Sequence, residues 1–247
     1  MKIKTCCLFL LFTSFICFSQ SKGRIVYRVV SQKLTYDKDN DTGSRQAFVN
    51  LMNEMSKIRD SIALYLDFED QESIFYVDRN TNIGLSNNTG YQSVIKSFNL
   101  YYRNNNSKVL IEKIISDNTY LVNSKTYDIE WDITNEKKRI GDYICFKATT
   151  NVLAHKLTKG IYKKHIEAWF CPDISISLGP KNYGGLPGLI IELKDEKLTY
   201  YVKAINLKPD FQIMIDRPSK GKLISKEDYF ALKPTITREN FKEYIGD

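Results

Sequence analysis

Histidine is nearly missing from this chain: His155 and His165 are the only two in 247 residues. So small a supply leaves little from which to build a histidine metal centre or a histidine-activated nucleophile. Proline is scarce as well, six in all, and no proline-rich linker, low-complexity tract or internal repeat divides the sequence. A single domain, at most two, is what this length predicts. No Gly-x-Ser-x-Gly elbow occurs, so the strand–turn–helix that exposes a hydrolase serine has no carrier. No Gly-Lys-Ser/Thr follows a glycine-rich loop, which excludes a Walker-type phosphate cradle. Nor is charge concentrated in one sign. Lysine and arginine number 36 against 29 acids, a net +7, and the nearest thing to a basic cluster is Lys137-Lys138-Arg139. Scattered charge of this kind is solvated surface, and nucleic acid is not an expected partner.

What is present points to a folded core. Hydrophobic residues make up 43% of the chain and aromatics 13%, with 16 tyrosines, which argues against disorder. The first residues stand apart: Lys2 and Lys4 precede an apolar stretch from Cys6 to Phe18, followed by the polar step Ser19-Gln20-Ser21. This is the layout of a secretory signal peptide, and the stretch is too short to span a bilayer. Residues 1–19 are expected to be the signal, cut after Ser19 or one residue later, and residues 20–247 a single β-rich domain. Cys17 as a lipidation site is the lesser possibility, because bulky Ile16 precedes it. Removal of the leader takes Cys6, Cys7 and Cys17 with it and leaves Cys145 and Cys171 in an oxidising compartment, the periplasm or cell envelope.

Alternation dominates the remainder. Strands are expected at 24–34, 62–68, 73–77, 98–103, 108–114, 118–123, 143–151, 162–170, 189–193 and 199–206, several separated by only a few turn residues. Such spacing favours antiparallel meanders, since parallel crossovers need helices between strands. The pattern at 45–58 places Phe48, Leu51, Met52, Met55 and Ile58 at helical spacing behind Ser44. Two short helices are expected near the C-terminus, capped by Ser225 and Thr237. The fold class is therefore mainly β: a curved antiparallel sheet or open half-barrel with one packed helix and a short helical C-terminal tail. Phe48, Leu51, Met52 and Met55 read as ordinary core or as the lid of a cavity for an apolar ligand.

The densest backbone punctuation is Tyr183 to Leu193, YGGLPGLIIEL. A dinucleotide fingerprint needs its glycines to open a helix, whereas these open a strand. Gly184, Gly185 and Gly188 permit unusual φ or close approach, and Pro187 fixes its own φ. A sharp corner feeding a core strand is the expected role. The run Gly184, Gly185, Leu186, Pro187, Gly188, Leu189, Ile190 resembles the signature of the GLPGLI family, as do IGDYICFKATT at 140–150 and EAWFCPDISISLGPKNYGGLPGLIIEL at 167–193. The resemblance implies an exported envelope protein, largely a Bacteroidota type, with no assigned activity or catalytic residues. It also implies a setting beside outer-membrane TonB-dependent receptors, one possible partner alongside other envelope proteins.

Three further constellations carry chemistry. If the strands around Cys145 and Cys171 form a hairpin centred near residue 158, the two cysteines lie opposite each other, at the separation a disulfide needs. A disulfide is expected there, with two buried thiols the rival. His165 and Glu167 share one face of a strand and supply the alternative reading, a hydrolase or metal-dependent enzyme, although their spacing matches no established zinc pattern. Asp37 to Gly43, DKDNDTG, has alternating carboxylates but lacks the glycine and glutamate of a calcium loop, so an acidic entry to the following helix explains it better. No cofactor and no metal are therefore expected. The leading expectation is a non-catalytic binding or accessory module of the cell envelope.

Overall fold

The computed structural model describes residues 22–35, 43–78, 88–104, 108–115, 118–125, 129–156 and 158–233. The leader, the acidic stretch 37–42 and the helix expected after Thr237 lie outside the described residues.

Twelve strands form one sheet. They are β1 (Lys22–Ser31), β2 (Leu64–Glu69), β3 (Glu72–Val77), β4 (Leu100–Arg103), β5 (Lys108–Ile115), β6 (Asn118–Lys125), β7 (Asp132–Ile140), β8 (Tyr143–Lys156), β9 (Gly160–Cys171), β10 (Leu189–Asp195), β11 (Leu198–Asn206) and β12 (Lys222–Ser225). The spatial order is β12-β6-β5-β4-β3-β2-β1-β11-β10-β9-β8-β7. Every pairing is antiparallel except β12 on β6. Edge strands β12 and β7 do not pair with each other, so the sheet stays open. The mainly-β expectation holds. The first strand occupies the middle, held between β2 and β11.

One face of the sheet carries the core. Along β1 the burial alternates, with Ile25, Tyr27 and Val29 fully buried. The register continues this inner face through Leu64, Leu66 and Phe68 on β2, Phe75 and Val77 on β3, Leu193 on β10, and Ile166, Ala168 and Phe170 on β9. Alternation of side chains across a pleated strand is what makes such a face continuous.

Three helices are described: α1 (Gly43–Ser61), α2 (Thr89–Lys96) and α3 (Lys226–Ala231). α1 packs along β1 and against α2. Its end is pinned by Asp60, whose carboxylate accepts from the Ser31 backbone N–H at 3.0 Å and from its hydroxyl at 3.1 Å. α2 escapes the sequence pattern; Asn88 caps it by accepting from the Tyr91 N–H at 2.9 Å, and Tyr91, Val94 and Ile95 are buried. α3 begins at the expected cap, Ser225, which accepts from the Asp228 N–H at 3.0 Å. Tyr229 of α3 packs with Ile111 and Val122 over β5 and β6. The neighbouring Phe230 stacks on His155 at the tip of the β8–β9 hairpin, ring centroids 6.3 Å apart. The two flanks of the open sheet thus curl far enough for α3 to bridge them.

Two strands are not legible in the sequence. β7 is exposed along most of its length and rich in charge, because it is an edge that must not recruit another strand. β12 is only four residues long.

Candidate functional site

Between β9 and β10 the chain leaves the sheet and crosses its inner face as an extended double strap, residues 172–188. Leu178 bridges Gly184, the Gly185 N–H donates to Ser177 O at 3.0 Å, and the Ile190 N–H donates to Leu178 O at 3.0 Å. The strap is moored to residues distant along the chain. Arg103 of β4 donates to Ser177 O at 3.4 Å and Asn182 O at 3.2 Å, and the Trp131 indole N–H donates to Gly184 O at 2.9 Å. Burial lowers the Arg103 pKa to about 10, which still leaves the guanidinium charged at neutral pH.

The glycine motif builds the corner that the sequence suggests. Gly188 has φ 149°, and a Cβ there would lie 2.1 Å from Cys171 O. Gly185 has φ 86° with open space around it. A Cβ on Gly184 would lie 2.7 Å from both the Arg103 guanidinium and Ser177 O. Leu186, Leu189 and Ile190 are core residues, while Pro187 is exposed.

At the bend of the strap, Lys181 adopts φ 59°, a left-handed backbone that a lysine seldom occupies. A turn closed by the Tyr183 N–H to Pro180 O, at 3.2 Å, holds it there. Its Nζ reaches Asp195 Oδ2 at 2.6 Å and lies 4.7 Å from the Tyr200 ring centroid. Asp195, the last residue of β10, follows Ile191 and Leu193 onto the inner face and is only 4% exposed. Its other oxygen takes the Lys164 Nζ at 2.6 Å. Burial works to raise the Asp195 pKa, but the two ammoniums more than offset it and hold the carboxyl below its ordinary value. Burial likewise works to lower the Lys181 pKa, yet Tyr200 and Asp195 leave it well above the ordinary lysine value. The result is a Lys164–Asp195–Lys181 triad with net positive charge.

Two clefts of about 290 Å³ each meet at Lys181 and Leu198. One is lined by Lys156, Lys164, Lys181, Asp195, Glu196, Lys197 and Leu198. In it Glu196 is already occupied, accepting from the Tyr162 hydroxyl at 2.5 Å. The other is aromatic: Phe75, Phe98, Tyr101 and Tyr200 surround Arg59 and Lys181, with Ser97, Asn99 and Leu198 completing it. Arg59, near the end of α1, donates to Ser31 Oγ at 3.3 Å.

The residues singled out from sequence fall elsewhere. Phe48 and Leu51 are 57% and 56% exposed, which corrects the expected stripe on α1 at those two positions. Val49 is buried in their place, while Met55 and Ile58 of the same stripe pack on the core as expected. None of Phe48, Leu51, Met52 and Met55 lines the clefts described here. Cys145 and Cys171 are buried and free, so the expected disulfide is not formed in the structure. The hairpin is centred where the sequence places it, since Phe146 pairs with Phe170 and Lys156 with Gly160, which sets the cysteines opposite each other. Burial pushes the Cys145 thiol up to about 11, so at neutral pH it is protonated and unreactive toward disulfide exchange. His165 and Glu167 do share a face, the one opposite the core, but His165 is exposed beside Asn151 at 3.4 Å. Glu167 is taken up by Lys147 Nζ at 3.3 Å and by the Trp169 indole N–H at 3.2 Å.

Sequence reasoning misses Lys181, Asp195, Lys164 and Arg59. One signal is available: Asp195 stands in phase with Ile191 and Leu193, an acid where the period demands an apolar residue.

Fold and site together define an open antiparallel β-sheet protein whose inner face holds a cationic and aromatic cleft beneath a glycine-built strap. Residues 156–192, which include the strap, match the model of a family described as "Protein of unknown function (Porph_ging)". No curated protein matches the chain. Among solved structures, five chains match. One is PNGF-II in its P21 crystal form, with TM-score 0.52 at 13% identity over 86% of this chain; another is the C2 form, with TM-score 0.48 at 13% identity and the same coverage. The chain spans about a third of the length of PNGF-II, 33%. At this identity the first likeness is one of fold alone.

Proposed function

We propose that this chain is an exported, non-catalytic binding module of the cell envelope, a member of the GLPGLI family, whose ligand sits in the cleft around Lys181. The observation that carries the reading is Lys181 itself. Its strained backbone sits where two clefts meet, at the bend of the strap that leads into the GGLPGLI run. Unfavourable backbone geometry of this kind is kept chiefly where a site needs it. The match to a family of unknown function over residues 156–192 contains that whole run and supports the membership. An outer-membrane receptor of the TonB-dependent type is the partner this setting suggests.

Native mass spectrometry of the mature protein from its own envelope tests the reading. A releasable small-molecule mass and an N-terminus at Gln20 are expected; a bare chain that still begins at Met1 would defeat it. The same spectrum reports on Cys145 and Cys171. A disulfide between them would lower the mass by two hydrogens, and two free thiols would leave it unchanged.

A further inference from the structure

The aromatic half of the cleft has a charge pattern that names a ligand class. Among the described residues two cations line it, Arg59 and Lys181, and no carboxylate does. Asp195 lies in the adjoining cleft and is already shared by Lys181 and Lys164, so it cannot neutralise both; Asp60, which follows Arg59, is taken up by the Ser31 N–H and hydroxyl. Around these charges stand Phe75, Phe98, Tyr101 and Tyr200, with Phe75 edge-on to Tyr101 at 6.2 Å. Aromatic walls favour flat apolar bodies, and a guanidinium presents a planar fork that matches a carboxylate. A space of about 290 Å³ is small for a lipid chain and adequate for one or two fused rings.

We propose that this cleft binds a small aromatic carboxylate, the ring between the four aromatic side chains and the carboxylate between Arg59 and Lys181. The inference rests on the binding-module reading and adds the ligand's charge and shape. Charge complementarity sets its specificity. A neutral ring of the same size leaves Arg59 and the surplus charge of the Lys164–Asp195–Lys181 triad without a further counter-charge, and a cationic one adds repulsion.

The probe is 2-naphthoate, titrated calorimetrically into the whole chain from residue 20 at low salt, with 2-naphthalenemethanol and 2-naphthylmethylamine as the neutral and cationic counterparts. The naphthoate is expected to bind at least tenfold more tightly than the alcohol, with no binding of the amine. Arg59→Gln and Lys181→Gln should each weaken naphthoate about tenfold and leave the alcohol unchanged. Because Lys181→Gln also strips a partner from Asp195 and could compromise folding, Arg59→Gln is the decisive variant. Equal binding of acid and alcohol, or an unaffected Arg59→Gln, overturns the carboxylate assignment while the binding module stands. Failure of all three probes, together with a bare chain in the native spectrum, overturns both.

Discussion

At the scale of single residues, Asp195 is where the molecule concentrates its electrostatic risk. A carboxylate 4% exposed is tolerable only because two ammoniums stand 2.6 Å from its oxygens. Asp195→Asn leaves two crowded lysines without their counter-charge and should cost about 3 kcal/mol or more, read from urea unfolding at pH 7. The sign of the pH effect follows from the shifts. The depressed Asp195 contributes stability that is complete above its unfolded value, 3.8, and is lost as pH falls through the lower folded value. The gap between wild type and Asp195→Asn should therefore narrow as pH falls below 3.8 and the native carboxyl begins to be protonated. A gap that stays constant as pH falls through the acid range would refute the account. Lys181, raised above 10.5, keeps its share of stability throughout this range and loses it only as pH rises through the folded value.

At the scale of elements, the strap and its glycines separate two costs that a sequence motif merges. Gly185 and Gly188 both have positive φ, but only Gly188 is pressed against another backbone. Gly185→Ala should cost about 1 kcal/mol, the penalty of a left-handed alanine with room around it. Gly188→Ala should cost about 4 kcal/mol or more, or prevent folding, since its Cβ would meet Cys171 O at 2.1 Å and that oxygen belongs to β9. Thermal unfolding of the two variants side by side checks this, and equal destabilisation would sink the distinction. The corner is legible in the sequence, because three glycines and a proline within five residues leave the backbone few other uses. The helices are less legible: the pattern locates α1 but not the face it buries. Of the expected stripe, Met55 and Ile58 pack on the core, but towards the start of the helix Val49 is buried in place of Phe48 and Leu51. Periodicity reports that a face exists, and only packing selects which one is covered.

At the scale of the whole molecule, the connectivity makes the fold depend on its late strands. β1, the first element, pairs with β2 on one side and β11 on the other, and β10 reaches β1 only through β11. A chain ending at Lys197 would leave β1 and β10 each short of one partner and expose the inner face between them. Such a truncation should show no cooperative unfolding transition, whereas removal of residues 1–19 should leave the transition intact. Both are read by circular dichroism during heating. A cooperative transition in the chain ending at Lys197 would mean that the two flanks fold independently.

The sequence by itself determined the strands other than β7 and β12, most of their turns, the corner at Gly184 to Gly188 and the opposition of Cys145 and Cys171. Each of these depends on residues close along the chain: a two-residue period, a backbone that needs glycine, a hairpin whose centre can be counted. The site was decided only by tertiary structure. Arg59 comes from a helix, Tyr101 from β4, Lys164 from β9, Lys181 from the strap and Asp195 from β10, and no local pattern links them. Burial then gives these charges their meaning, because a lysine beside a buried carboxylate becomes a fixed cation, while the same lysine on a solvated strand is only surface.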